Sequence, residues 1–314
     1  MSEDQSLNTT ELSQLARCPE LNIEKASERY PESRGELSLV TVNNSHASCT
    51  LALQGAHVLS FTPHGQSDLL WVSPAATFEP GKPIRGGIPV CLPWFGVNRH
   101  ASDKPKHGFA RTSRWRLEYA QTCADGATQV TLALRQFSRK AHPHFPHCFE
   151  ALLNITVARE LTLQLQVVNR SPTRMPLSWA LHSYHPVSDL GSTTVRGLQG
   201  TEYLDNTRGL ERRTQQQPPC FDGEFDRVYL SVPEEQSISG HPEIRIRGQN
   251  APTAIVWNPG PEIALSLPDL GHNAHRKFIC VERGAAFDDE LLVAPGATVH
   301  TRVTIAAGTK GASG

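Results

Sequence analysis

The sequence predicts an all-β fold, a large β-sandwich built as a single domain. Three observations predict it. The run LTLQLQVVN alternates: Leu161, Leu163, Leu165 and Val167 point one way, and Thr162, Gln164 and Gln166 the other, the period of a half-buried strand. Short β-branched and apolar runs recur along most of the chain, separated by turns rich in Pro, Gly, Asn and Asp. After residue 30 there is no long amphipathic helical pattern and no fixed-period repeat.

Taken in order, residues 1–30 read as a polar N-terminal extension, with a short helix expected in 11–30 before the fold begins. The sandwich is expected over 31–307 and a flexible tail over 308–314. LSLVTV and SCTLALQGAHVLSF open it as strands, the second interrupted at Gly55 and ended by PHGQSD. DLLWVS is a further short strand. WRLEYA and TQVTLALRQF follow, split by the turn CADGA. FEALLNITVA and LTLQLQVVN form a hairpin about Arg159–Glu160. PLSWALHSYHPV, DRVYLSV, EIRIRG, TAIVWNP, KFICVERG and ATVHTRVTI complete the strand set.

A chain of 314 residues with 38% hydrophobic and 19% charged content can bury a substantial core. Its seven cysteines are odd in number and scattered, with no CxxC, which argues for reduced thiols and a cytoplasmic protein. No apolar signal-like segment follows Met1 and no stretch is long enough to span a bilayer, so no membrane partner is expected. A formal net charge of -1 argues against a general affinity for polyanions such as nucleic acid. No GxSxG, P-loop or GxGxxG context supports an esterase, nucleotide or dinucleotide reading.

The segment RGGIPVCLPWFGVNRHASDKPKHGFAR, 85–111, is neither helix nor ladder strand. It holds three prolines, the glycine pair Gly86–Gly87 and an exposed-looking aromatic pair, Trp94–Phe95. Long, rigid loops of this kind usually carry function. Between Arg85 and Arg116 stand seven cations (Arg85, Arg99, Lys104, Lys106, Arg111, Arg114 and Arg116) against one acid, Asp103. Such a local excess in a nearly neutral chain points to an anion site, and arginine's planar fork suits phosphate. A solvated loop accounts for the same residues equally well.

Four constellations could carry chemistry. AHPHFPHC groups His142, His144, His147 and Cys148 but lacks zinc-ligand spacing, so a cleft-rim strand entry is favoured over a metal site. In LHSYH, His182 and Tyr184 share one strand face and His185 the other; alone, a core hydrogen bond explains His182 better than proton transfer does. In FICVERG, Glu282 follows an apolar run, where a carboxylate needs a partner such as Arg283 or becomes a base of raised pKa. In FDRVYL, Asp226 and Arg227 are a surface charge pair, or Asp226 accepts hydrogen bonds from a polyol.

Together RGGIPVCLPWFG, HGFAR, the LHSYH strand, DRVY and ICVERG, in that order, resemble the hexose-6-phosphate mutarotases. These are the glucose-6-phosphate 1-epimerases of the aldose 1-epimerase (galactose mutarotase-like) superfamily. The likeness runs from about residue 36 to 306, and RGGIP with HGFAR is its specific part. It implies a β-supersandwich with an open sugar groove, His182 as general acid and Glu282 as general base. It implies phosphate binding by Arg85 and Arg111, a sugar-hydroxyl contact at Asp226, and a place for His107 among the substrate-binding residues. Some members carry glutamine where this chain has Lys106, which either adds a phosphate contact or points outward. Members often have VEPG where Arg283 breaks the pattern, and an aromatic where His185 stands.

The activity implied is interconversion of the α and β anomers of a hexose 6-phosphate, D-glucose 6-phosphate first, by acid–base ring opening and reclosure. It implies no cofactor, no metal, and a monomer whose partner is a small-molecule sugar phosphate. A mutarotase of unphosphorylated aldoses and a non-catalytic sugar-phosphate binder remain as alternatives.

Overall fold

A computed structural model describes residues 7–98, 103–140, 142–240 and 242–308. Two eight-stranded antiparallel sheets dominate it. The first runs Val195–Arg196, Glu235–Ile238, Ile244–Gln249, Thr298–Ala307, Leu161–Asn169, Phe149–Val157, Thr128–Gln136 and Arg116–Thr122. The second runs Glu211–Thr214, Glu202–Asp205, Phe225–Tyr229, Thr253–Asn258, Phe278–Ala285, Trp179–Leu181 and Val90–Cys91, and Tyr184–Pro186 also pairs with Phe278–Ala285. A four-stranded sheet joins Leu21–Lys25, Ser38–Asn43, Ala47–Ala52 and His57–Pro63. The all-β expectation holds. No helix among the described residues is long and apolar enough to cross a membrane.

The main core lies between the two large sheets, and alternation explains which residues fill it. Leu161, Leu163, Leu165 and Val167 are buried, while the polar residues between them stay half-exposed. Across from them, Trp179, Ile279 and Val281 enter the same apolar cluster. Because strand side chains alternate, burying Ile279 and Val281 inward turns Cys280 and Glu282 to the outer face of the second sheet. The site is built on that face.

Several elements depart from the sequence reading. DLLWVS forms no ladder; it bends at Leu69–Leu70, makes a single bridge, Val72 to Gly86, and donates its Trp71 and Ser73 amides to the Tyr184 and Arg85 carbonyls. PLSWALHSYHPV is three short strands, broken at Ser178 and at His182–Ser183. Trp94 is buried, its indole N–H donating to Pro105 O at 2.9 Å, so the aromatic pair is not exposed. Arg99 and residues 309–314 of the expected tail lie outside the described residues.

The N-terminal segment is tied into the fold. Thr9–Ala16 is a helix capped by reciprocal Asn8 and Glu11 hydrogen bonds, and Leu21–Lys25 pairs in register with Ser38–Asn43. Glu11 is 1% exposed and takes both Arg114 Nη1 at 2.9 Å and Nη2 at 2.7 Å, plus the Leu117 amide at 3.1 Å. Burial alone would raise its pKa, but Arg114 and the backbone donors outweigh burial and hold it below the ordinary carboxyl value. Glu11→Ala is expected to destabilise the fold by about 3 kcal/mol, the cost of removing one partner of a largely buried, hydrogen-bonded ion pair. Urea unfolding measures it. A lowered pKa in the folded state also means that this stabilisation is complete above the unfolded carboxyl pKa. It fades as pH falls through the folded value, so the gap between wild type and variant should narrow in acid.

Candidate active site

Sheet register brings distant residues into one row. Asp226 pairs with Trp257, Trp257 with Cys280, and Cys280 with Tyr184, so four strands contribute neighbouring positions. Three residues along, Leu181 pairs with Arg283. Between the Leu181–Arg283 and Tyr184–Cys280 pairs, His182–Ser183 therefore lies opposite Val281–Glu282. His182 Nδ1 comes within 3.2 Å of Glu282 Oε1. The approach is misaligned for a hydrogen bond: neither His182 Nδ1 nor either Glu282 oxygen has a hydrogen-bond partner among the described residues. His182 is 7% exposed and Glu282 0%. A buried polar atom left unpartnered costs free energy, and such groups gather where a ligand supplies the missing bond.

Aromatic rings frame the pair. The His182 ring stacks on Tyr184 at 5.0 Å and meets Trp257 edge-on at 6.0 Å. From the 85–111 segment, Phe95 and His107 stand at 6.5 and 5.6 Å from it. The segment holds its place through its glycines. A Cβ on Gly87, at φ +61°, would lie 2.3 Å from Val58 O, and one on Gly86 2.4 Å from Val72 Cα. That close approach lets the Gly87 carbonyl take the Tyr184 amide and the Pro89 carbonyl take the His182 amide, which fixes the histidine's backbone.

The expected cations converge here too, in different states. Arg85 is already engaged: Nε and Nη2 each donate to Asp269 at 3.2 Å, and Nη1 donates to Tyr184 Oη at 3.2 Å. Arg111 Nη2 donates to the Lys106 carbonyl at 2.9 Å. Among the described residues neither Arg111 nor Lys106 has a carboxylate within ion-pair distance. Asp226 accepts a 2.6 Å hydrogen bond from Asn206.

Electrostatics favour a neutral pair. Burial, then Arg111 and Arg85, push His182 down to about 3. Burial, then Asp226, push Glu282 well above its ordinary value, against the pull of Arg111. Asp226 is raised to about 6, chiefly by burial. His107 is lowered by burial and by Arg111 and His182. Burial thus favours the uncharged imidazole and the protonated carboxyl, an arrangement in which a proton can move between the two or to a bound molecule. Cys280 shares the Glu282 face, and its sulfur lies within 4.8 Å of donor atoms of both residues.

The remaining candidates resolve differently. His142 stacks on Phe109 at 3.7 Å and His147 packs near Phe145 at 5.0 Å; among the described residues the histidines of this run form no group of three metal donors. His185 is buried, bonding Leu69 O and Ser183 Oγ. Arg283 does not pair with Glu282, since adjacent strand residues face opposite ways. It is buried inward, donating to the carbonyls of Pro233 at 2.9 Å and Ala251 at 2.6 Å, and to the Gln236 side chain. Arg227 likewise leaves Asp226, packing on Tyr203 and Phe225 at 4.4 Å each. Asp269 and Asn206 escaped the sequence reading, because nothing local to them signals their long-range partners. A separate cavity lies behind Phe95, lined by Trp94, Lys104, Phe145 and Phe287, and it contains neither His182 nor Glu282.

Comparison with known proteins agrees with this architecture. A family profile described as aldose 1-epimerase matches residues 38–306. A curated protein of Escherichia coli (strain K12), named "Putative glucose-6-phosphate 1-epimerase", is 33% identical over 260 residues, covering 81% of this chain and 85% of its own. One of the same name from Cenchrus ciliaris is 31% identical over 283 residues, covering 86% and 85%. The crystal structure of a "putative mutarotase" from Salmonella typhimurium superposes with a TM-score of 0.79 at 28% identity, over 87% of this chain and 91% of that one. A galactose mutarotase-like protein of Clostridium acetobutylicum shares the fold at 14% identity, with a TM-score of 0.69 over 93% and 99%. The chain is an isomerase that acts on a sugar, and it belongs to the aldose 1-epimerase family.

Proposed function

We propose that this epimerase interconverts the α and β anomers of a hexose 6-phosphate, D-glucose 6-phosphate first. His182 and Glu282 move the protons, Arg111 and Lys106 hold the phosphate, Arg85 adds its field, and Asp226 and His107 contact the sugar. The observation that carries this reading is a buried, unsatisfied imidazole–carboxyl pair at 3.2 Å, beside two cations without a carboxylate partner among the described residues. The names of the relatives at 31–33% identity point the same way.

The chemistry follows from the pair's single mobile proton. Opening a pyranose requires removal of the C1 hydroxyl proton and protonation of the ring oxygen as the C1–O5 bond breaks. Glu282, once its proton has passed to His182, takes the first; His182 delivers the second. Rotation about C1–C2 presents the other face of the aldehyde, and both transfers reverse on closure. Protons and charge balance at each stage, and the site's net charge does not change. That suits burial, because no isolated charge is created in a low-dielectric setting. The phosphate, remote from C1, fixes the ring in register so that its binding energy serves positioning. The protein acts, on this reading, as a cytoplasmic monomer, in keeping with seven free thiols.

The test follows exchange from one pure anomer of glucose and of glucose 6-phosphate under identical conditions. A kcat/KM larger by about 10–10²-fold for the phosphorylated sugar is expected, the worth of one or two charge-assisted hydrogen bonds. Equal values would leave a mutarotase with no phosphate preference.

A further inference from the structure

We infer that His182, Cys280 and Glu282 form a binding site for a thiophilic divalent ion, Zn²⁺ before others, and that occupancy of it blocks the proton shuttle. The ligand atoms needed are present together. One imidazole nitrogen, one cysteine sulfur and one carboxylate oxygen lie within 4.8 Å of one another, all on buried residues. Zinc bonds of about 2.0–2.3 Å in a tetrahedron put ligand atoms about 3–4 Å apart, so a small inward movement closes the site. An independent observation points to a ligand at this spot: His182 Nδ1 and both Glu282 oxygens are buried without a hydrogen-bond partner. The fourth position of a tetrahedron is left for water or a sugar hydroxyl from the groove.

Capture of the ion balances in charge, although burial raises the Cys280 thiol and so opposes its ionisation. Zn²⁺ displaces one proton from the Cys280 thiol and one from the Glu282 carboxyl, and the imidazole binds neutral. Two positive charges enter, two protons leave, and the site remains uncharged. Asp226 favours a cation here, while Arg111 and Arg85 oppose one. Soft sulfur in the set selects Zn²⁺ over Mg²⁺ or Ca²⁺, which prefer oxygen donors. The blocking follows from the lone pairs involved, since those that hold the metal are the ones that carry protons; this part alone rests on the function proposed above.

Co²⁺ titration of the whole protein tests binding without reference to sugar. One equivalent should produce a thiolate-to-cobalt charge-transfer band in wild type. The band should vanish in Cys280→Ala and in Cys280→Ser, which keeps the volume and guards against a packing defect. It should persist when the more accessible thiols Cys123, Cys148 and Cys220 are all changed to serine. Zn²⁺ should then displace Co²⁺ and stop anomer exchange in wild type, with inhibition more than about tenfold weaker in Cys280→Ala. A band that survives loss of Cys280, or disappears with the other three thiols, overturns the site. Zn²⁺ that binds through Cys280 yet leaves exchange at full rate overturns the blocking and leaves the site standing.

Discussion

Glu282→Gln and His182→Asn are each expected to slow anomer exchange by about 10²–10⁴-fold, the range for losing one positioned proton transfer. Sugar binding should survive, since both replacements keep volume and polarity. The double variant should fall little below the worse single one, because each group is useless without the other. Rates from a pure anomer, followed by polarimetry, decide this; a variant that exchanges at wild-type rate removes its residue from the mechanism. Stability adds a second, opposite signature. Glu282 is 0% exposed, and burial raises its pKa well above the ordinary 4.5. With a folded pKa above the unfolded one, the fold is most favoured below the unfolded value and loses stability as pH rises towards the folded value. Glutamine does not titrate. Glu282→Gln should therefore unfold at higher urea than wild type near neutrality, with the gain shrinking as pH falls towards 4.5. A residue kept for packing would show no such gain.

That conflict between stability and activity bears on what the sequence could reveal. The strand 161–169 was legible to the residue because one face is core and the other half-exposed, so composition records the geometry. Leu21–Lys25 was not, since it is an edge strand with only Leu21 buried, and its alternation is correspondingly faint. The break inside PLSWALHSYHPV was hidden for another reason. The ladder breaks at His182 and Ser183 because the His182 amide is taken by the Pro89 carbonyl and the Tyr184 amide by that of Gly87, more than ninety residues earlier. Alternation did place His182 and Tyr184 on one side, and the stacked rings agree. Cys280 passed as one more apolar residue of a buried run. Alternation puts it on the Glu282 face, but only cross-strand register, which no local pattern encodes, pairs it with Tyr184 and brings His182 within reach of both. Arg85 was visible as a cation, but Asp269, 184 positions away, was not.

That last pairing sets the order of effects expected at the phosphate. Arg111→Ala should lower kcat/KM for glucose 6-phosphate by about 10–10²-fold, the loss of one or two charge-assisted hydrogen bonds. Arg85→Ala should lower it less, because the Arg85 fork is already filled by Asp269 and Tyr184. Arg111→Lys should fall between wild type and alanine, keeping charge but losing the bidentate geometry. The quantity to compare is the ratio of kcat/KM for glucose 6-phosphate over glucose. Arg111 also acts on the catalytic pair itself, holding Glu282's pKa down and His182's down with it. Its removal therefore touches both substrates through the pair, and the ratio cancels that shared part. If Arg111→Ala leaves the ratio unchanged while lowering both rates, the guanidinium tunes the proton transfer and does not hold the phosphate. If Arg85→Ala collapses the ratio more than Arg111→Ala does, then Asp269 gives up its partner when substrate arrives, and the anion sits deeper against Tyr184.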